Sequence, residues 1–323
     1  MRQVSLAHIE YLTDNFGIWQ HTHGKEIYIP EGYALDDAAR ALIVAGLYNR
    51  PDLAAIYLGF IEKACQPDQV INFFDAQGNS QNLPWSPDAL GETYWALTHC
   101  REKLPQFLPQ INEIIQARIL PHLPRTLEHY RATSYVVLAA CKDNPAAVAS
   151  LVEPLYSAFK KNATPDWPWL EQALFYGNAI IPLALIEAGE LLKNTNYSEA
   201  GLTMLAFLNQ ACQEQGVPSM IGSNGWWFKG KERARYAQQP IEACYLMLAN
   251  NAAFAATHDD NWRHMSEHFF TWYWGNNPLK APMVFDDDSC SDGLDEWGAS
   301  QNRGAESTIC LLIAQASRPT VNE

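Results

Sequence analysis

"YAQQPIEACYLM" (residues 236–247) joins a long polar loop to an amphipathic helix that carries Glu242 in its first turn. Proline suits the first helical position, and an acidic side chain there opposes the helix dipole. Similar helix starts occur in "GYALDDAARAL" (32–42) and "WSPDALGETYWAL" (85–97). The pattern therefore indicates several helices that begin with acidic residues after aromatic-rich loops.

Helical periodicity dominates the chain, and strand patterns are scarce. Apolar residues recur at three- and four-residue spacing and predict twelve helices. Their ranges are 4–13, 35–48, 51–64, 88–100, 104–118, 125–140, 145–160, 169–192, 197–212, 240–256, 260–274 and 303–316. The sequence thus predicts an all-α protein.

The connections between these helices alternate in length. Short turns follow the helices that end near 48, 100, 140, 192 and 256, whereas long loops cover 14–34, 66–86, 213–238 and 275–301. Long loops in a compact domain are commonly functional. Hairpins with their long loops on one side favour a closed ring, the (α/α)6 toroid, as one domain over residues 1–323. An open solenoid is the alternative, but no fixed-period repeat supports it.

Composition excludes several functional classes for the 323-residue chain. Its formal net charge of −14 disfavours nucleic acid, whose phosphates bind basic side chains. No apolar run approaches the roughly 20 residues that span a bilayer, and no secretory signal is evident. Seven cysteines without a CxxC pair fit reduced thiols, so we expect a cytoplasmic protein. Nucleotide-binding signatures are absent, and we predict no cofactor.

Acidic residues gather at the starts of the proposed inner helices near 35, 88, 126, 170, 240 and 303. Helix capping alone could explain why any one of these acidic residues lies at a helix start. Capping does not explain why Trp, Tyr, Gly, Asn and Gln are frequent at the starts of the inner helices and not at the starts of the outer helices. Parallel inner helices would bring these side chains to one cleft, where paired carboxyl groups can cleave a glycosidic bond. The predicted catalytic residues are Glu242 and Asp37, with Glu171, Asp292 and Glu306 as rivals.

Aromatic and amide side chains in the same segments are predicted to bind a saccharide. Aromatic rings stack on the C–H faces of sugars, and polar groups bind the hydroxyls. The predicted set is Asp36, Tyr33, Trp167, Trp169, Tyr176, Asn178, Trp226, Trp227, Gln238, Gln239 and Asn302.

Four segments resemble motifs of bacterial six-hairpin glycosidase-like proteins. They are "GYALDDAARALI", "DWPWLEQALFYGNAIIPLALI", "QQPIEA" and "DGLDEWGASQNRGAESTICLL". The resemblance spans nearly the whole chain and implies an (α/α)6 toroid that acts on an oligosaccharide or glycan. The chain departs from the pattern at Ala237, where an acid is expected, at Gly177 to Ile180, where Asp-Asn-Ala-Arg is expected, and at Glu92, where a basic residue is common.

Other functions stay open as alternatives. A non-catalytic saccharide-binding or regulatory module fits the departures at Ala237 and Gly177. A sugar epimerase or isomerase would be expected to use paired histidines, which the inner helix starts lack. No metal site is predicted. The segment "HMSEH" (264–268) resembles an inverted zinc motif but lies on a proposed outer helix, and the pair His21 and His23 lacks further ligands. The segment "DDDSCSDGLDEW" does not fit the calcium-binding loop, because Ala299 stands where that loop has glutamate.

Overall fold

The computed structural model describes residues 1–81, 83 and 85–318. In this part of the chain the α-helices are α1 Ala7–Leu12, α2 Leu35–Leu47, α3 Pro51–Ala64, α4 Pro87–Cys100, α5 Leu108–Glu113, α6 Tyr130–Asp143, α7 Val148–Asn162, α8 Ile180–Leu192, α9 Thr195–Ala211, α10 Pro240–Thr257, α11 Asp260–Phe270 and α12 Ala305–Ala316. A π-helix, Ile114–Ile119, extends α5, and 3-10 turns span Ile29–Glu31, Pro105–Phe107, Leu120–Arg125, Pro145–Ala147 and Thr271–Trp274. None of the described helices is both long and apolar enough to cross a membrane.

The strands are two-residue pieces within the loops. They are β1 Thr22–His23, β2 Glu26–Ile27, β3 Tyr33–Ala34, β4 Phe73–Phe74, β5 Ala173–Leu174, β6 Gln213–Glu214, β7 Val217–Pro218, β8 Trp227–Phe228, β9 Leu294–Asp295 and β10 Gly298–Ala299. The antiparallel pairs are β1–β2, β3–β4, β5–β8, β6–β7 and β9–β10. These pairs tie the long loops to one another.

Six helices form a closed inner ring. Helices α2, α4, α6, α8, α10 and α12 pack side by side in this order, and α12 packs against α2. The other helices lie outside, with α3 on α2, α7 on α6, α9 on α8, α11 on α10 and α1 on α12. The predicted (α/α)6 toroid, including closure by the N-terminal helix, is confirmed.

Close helix packing draws the ring together. A Cβ atom on Gly91 of α4 would lie 2.9 Å from the carbonyl oxygen of Ala132 and 3.1 Å from Cβ of Tyr135, both on α6. The missing side chain lets the two backbones approach. The inner helices are buried on most of their surface, because outer helices cover one side and the ring interior covers the other.

One predicted helix is wrong in part. The segment 169–179 is not helical, and α8 begins only at Ile180. Within it, Ala173 and Leu174 pair with Phe228 and Trp227, and Gly177 adopts a left-handed φ of 56°. The strand pairing satisfies the backbone groups that a helix would have used. Glu171 consequently lies in a loop rather than at a helix start.

Two other boundaries also shift. The segment predicted as one helix over 104–118 consists of a 3-10 turn, α5 and the π-helix. The helix predicted over 125–140 begins at Tyr130, because residues 120–125 form a 3-10 turn that contains two prolines. Neither change alters the order of the ring.

Candidate active site

A buried arginine organises the first cluster of acids. Arg40, on the second turn of α2, is 2% exposed. Its Nη2 atom lies 2.8 Å from Oδ2 of Asp36, and its Nε atom lies 2.9 Å from Oε2 of Glu92. Its Nη1 atom donates directly to Oε2 of Glu306. One guanidinium therefore joins the N-terminal two turns of α2, α4 and α12, so these inner helices begin at the same end of the ring.

Asp37 belongs to this cluster but is not bonded to the guanidinium. Its Oδ1 atom lies 3.9 Å from Nη2 of Arg40, beyond hydrogen-bond distance. Burial raises the pKa of Asp37, and the neighbouring carboxylate of Asp36 raises it further. Burial likewise raises the pKa of Glu92 to about 8. Burial of this kind favours the protonated form of an acid.

An acidic cavity of about 290 Å³ opens beside this cluster, near the lower end of the size range of ligand pockets. Its walls consist of polar residues from α2, α12 and the loops that precede α2, α10 and α12. They are Gln20, His21, Asp36, Asp37, Gln239, Asp292, Gly304, Glu306 and Ser307. We call this space the acidic cavity. It brings together Asp37, Asp292 and Glu306, three of the five predicted catalytic residues, together with Asp36 and Gln239.

Asp292 faces the cavity from the loop before α12. Its Oδ1 atom accepts hydrogen bonds from the Ser307 hydroxyl, at 2.7 Å, and from the Gly304 backbone N–H. Burial raises the pKa of Asp292, although both hydrogen bonds act in the opposite direction. The side chain is therefore fixed in place at the start of α12.

Glu242 and Glu171 lie in a second cluster, which is centred on Arg131 of α6. Oε1 of Glu242 accepts a hydrogen bond from the Gly177 N–H, and Oε2 lies 3.4 Å from Nδ2 of Asn178. Arg131 Nη1 lies 3.1 Å from Oε2 of Glu171. Burial raises the pKa of Glu242 to about 7, and Arg131 partly offsets this. Glu242 thus clamps the loop before α8 and does not line the acidic cavity.

Aromatic side chains of α4, α6 and α10 pack together inside the ring. The hydroxyl groups of Tyr135, on α6, and Tyr245, on α10, are 3.0 Å apart. The Trp95 ring packs against both, with centroid distances of 5.8 and 6.3 Å. These three rings occupy the space between α4, α6 and α10 inside the ring.

Several predicted binding residues are buried, which corrects their assignment. Trp167 and Trp169 are 3% and 0% exposed, so neither ring has a free face for a sugar. Tyr33 is buried and donates to Asp14 at 2.6 Å. Gln238 is buried, and its Oε1 accepts from the Met220 N–H and the Trp272 indole. These side chains hold the loops together.

Three further predicted binding residues do not line the acidic cavity. Asn178 Oδ1 accepts from the Phe175 N–H and from Nη2 of Arg131, at 3.0 and 3.1 Å. Trp227 faces a separate outer groove beside α9. Asn302 accepts from the Gly24 N–H at 2.9 Å and so joins two loops. Tyr176 and Trp226, in contrast, keep partly exposed rings that pack against each other, and the Tyr176 ring lies near Arg131.

Comparison with solved structures identifies the architecture. Cellobiose 2-epimerase from Bacillus thermoamylovorans superposes with a TM-score of 0.70 at 10% identity and covers 97% of this chain and 95% of that chain. A sugar epimerase from a ruminal bacterium gives 0.69 at 12% identity, covering 98% and 96%. The GH76 α-mannanase of Bacteroides thetaiotaomicron gives 0.63 at 8% identity, covering 96% and 92%.

The chain has the six-hairpin glycosidase-like fold. No protein-family model and no curated protein matches its sequence. At identities this low the superpositions establish the fold alone. They agree with the resemblance of the four motifs, all of which lie in the inner helices or the loops that precede them.

Two of the departures from the six-hairpin motifs share one backbone conformation. Gly177 and Ala237 both have a φ of 56°. This left-handed region suits glycine, whereas alanine is strained there. Ala237 precedes Gln238 and Gln239, and its carbonyl accepts from the Ser223 N–H and hydroxyl at 3.1 and 3.0 Å. The turn therefore directs Gln239 to the acidic cavity.

Sequence reasoning missed Arg40 and the role of Arg131. The spacing Asp36, Asp37 and Arg40 is a signal for the first, since residues three and four apart on a helix are neighbours. No local pattern identifies Arg131, because its partners come from a loop 40 to 47 positions away. Trp297, 88% exposed at the tip of the β9–β10 hairpin, was also not singled out.

Proposed function

We propose that the protein is a carbohydrate-active enzyme that hydrolyses a glycosidic bond in the acidic cavity. Asp37 acts as the proton donor, and Glu306 acts as the second carboxyl group, which activates water or attacks the sugar. The observation that carries the proposal is that the two carboxyl groups share a cavity and differ in environment. Asp37 is buried without a bonded cation, whereas Glu306 is bonded to the Arg40 guanidinium.

The chemistry follows from this difference. Glycosidic cleavage requires a protonated acid for the leaving oxygen and a carboxylate that activates water or attacks the sugar directly. Arg40 holds Glu306 in place through a charge-assisted hydrogen bond between the guanidinium and the carboxylate. Asp292 and Gln239 line the same cavity and supply hydrogen-bond partners for sugar hydroxyls.

Epimerisation of a sugar is the second candidate. Two of the solved structures with this fold are named as sugar epimerases, and His21 lines the acidic cavity beside Asp292. It is the one histidine in that wall among the described residues, so a pair of histidines acting as acid and base is incomplete there. The carboxyl groups therefore make hydrolysis the first choice.

Product analysis on a saccharide panel tests the proposal. The wild-type protein is incubated with gluco- and manno-oligosaccharides in α and β linkages, and the products are followed by reducing-end release and mass. Shorter fragments with new reducing ends are the expected result. A change of sugar identity without a change in mass overturns hydrolysis in favour of epimerisation, and saturable binding without any product indicates a binding module.

A further inference from the structure

Four aromatic side chains form a partly exposed group near Arg131 and the β5–β8 strand pair. They are Phe175, Tyr176, Trp226 and Phe228, and we call this group the aromatic rim. Tyr176 and Phe228 are 45% and 48% exposed. The ring centroids lie 5.8 to 6.3 Å apart at interplanar angles of 54° to 89°. Edge-to-face contacts of this kind do not stack the rings face against face, so ring faces stay open to solvent.

Tyr176 is held rigidly within the rim. Its hydroxyl donates to Oδ2 of Asp88, and its carbonyl accepts from Nε of Arg131. The Arg131 guanidinium lies 5.0 Å from the centre of the Tyr176 ring. The Arg131 side chain is only 9% exposed, so it covers the inner face of the ring and leaves the outer face to solvent.

The buried second cluster fixes the backbone of the same loop. Glu242 accepts from the N–H of Gly177, the residue after Tyr176. The β5–β8 pairing joins Leu174 to Trp227, which lies between the two rim residues Trp226 and Phe228. A preorganised ring loses little conformational entropy when a ligand binds.

One turn of α4 connects the rim to the Arg40 cluster, whose members Asp36, Asp37 and Glu306 line the acidic cavity. Asp88, which binds Tyr176, lies four residues before Glu92, which contacts Arg40. Residues at this spacing share one face of a helix. A chain of sugars that leaves the acidic cavity along this face therefore meets the aromatic rim.

We propose that the aromatic rim is a distal subsite for a neutral oligosaccharide, which deepens the proposed function and rests on it. The acidic cavity, at about 290 Å³, encloses only a small part of such a ligand, so a longer chain extends outside it. Tyr176 stacks on a pyranose ring there. Carboxylates line both sites, and the protein has a formal net charge of −14, so anionic saccharides are disfavoured.

Calorimetric binding to the turnover-deficient variant Asp37→Asn tests the subsite. The ligands are neutral gluco- and manno-oligosaccharides of one to six units. When Tyr176→Ala is combined with Asp37→Asn, the affinity for the longer ligands is expected to fall about tenfold, and the affinity for monosaccharides is expected to stay unchanged. Tyr176→Phe, which keeps the ring and loses the bond to Asp88, is expected to cause a smaller loss.

The matched control is Tyr11→Ala on the outer helix α1, where the tyrosine is 48% exposed. This change is expected to alter no affinity, and thermal melting confirms that each variant folds. Three results would each overturn the subsite. They are equal affinities with and without Tyr176→Ala, an equal weakening of the binding of short and long ligands by this substitution, and no binding of any saccharide. Length-dependent binding with no turnover by the wild-type protein overturns hydrolysis and leaves the subsite standing.

Discussion

Asp37 and Arg40 lie on adjacent turns of α2, yet Oδ1 of Asp37 is 3.9 Å from Nη2 of Arg40 and is not hydrogen-bonded to it. The guanidinium contacts Asp36, Glu92 and Glu306 more closely. Burial raises the pKa of Asp37, and the nearby carboxylate of Asp36 adds to this effect. The arginine therefore binds Asp36, Glu92 and Glu306 and leaves the buried Asp37 without a hydrogen-bonded cation, and hydrolysis of a glycosidic bond needs two carboxyl groups in different environments.

Replacing Glu306 with glutamine tests the carboxylate role. Glu306→Gln removes the charge needed to activate water or attack the sugar, so kcat is expected to fall at least about 100-fold while substrate still binds. Steady-state kinetics and calorimetry measure the two effects. Glu10→Gln is the matched control, since Glu10 also pairs with an arginine, Arg50, on the protein surface. Equal activity of the two variants would rule out the role of Glu306.

Arg40 is expected to be essential for stability. Arg40→Leu leaves several carboxyl groups, including the buried Glu92, without their cation, and the unfolding free energy should fall by about 3–5 kcal/mol. Urea denaturation measures the change. Arg263→Leu removes an exposed pair with Asp260 and should cost less than about 1 kcal/mol. Similar small losses in both variants would contradict the central role of Arg40.

Glu242 makes the stability of the fold depend on pH. Burial raises its pKa from 4.5 to about 7, so between these values the folded protein holds a proton that the unfolded chain has released. This contribution to the unfolding free energy is complete below pH 4.5 and is lost as the pH rises through 7, by up to about 3 kcal/mol. Glu242→Gln should therefore gain stability relative to the wild type between pH 5 and pH 8. Parallel stability curves over this range would contradict the shift.

The same variant distinguishes two roles for Glu242. A catalytic Glu242, as the sequence predicted, requires that Glu242→Gln abolish turnover. The glutamine retains an oxygen that can accept from the Gly177 N–H, so a positioning role predicts a rate within about tenfold of the wild type. The rate on the best substrate from the saccharide panel decides between them, and complete loss with normal binding would restore Glu242 to the catalytic pair.

Alanine substitutions at Gly91 and Gly59 are expected to change the free energy of unfolding in opposite directions, because Gly91 lies where α4 packs against α6 and Gly59 lies in open space. Gly91→Ala places a methyl group 2.9 Å from the carbonyl oxygen of Ala132 and should lower the unfolding free energy by about 1–3 kcal/mol. Gly59→Ala, on the exposed face of α3 with no atom nearby, should raise it by about 0.5–1 kcal/mol. Thermal unfolding measures both. A stabilising Gly91→Ala would mean that the inner helices are not in close contact there.

Most of the helices and the closure of the ring could be predicted from the sequence, because most inner helices begin with a similar local pattern. At α4, for example, Ser86 precedes Pro87 in the sequence, and its side chain accepts from the Ala89 N–H. The segment 169–179 could not be predicted, since its strand pairing with β8 joins residues more than fifty positions apart. Helical periodicity carries no information about such a partner.

The candidate site was predictable only in part. Residues near the inner helix starts, such as Asp37 and Glu306, reach the acidic cavity because helix direction alone places them there. Tryptophan content could not distinguish a sugar platform from a core residue, and Trp169 is in the core. Burial depends on how loops fold over one another, which no single segment encodes.

The rate of the Asp37→Asn variant tests the account most directly. On a neutral oligosaccharide cleaved by the wild-type protein, the variant should bind the substrate normally and lose about 1000-fold in kcat, because asparagine cannot supply the proton. Unchanged turnover, with the fold and substrate affinity intact, would contradict the assignment of the acidic cavity as the catalytic centre.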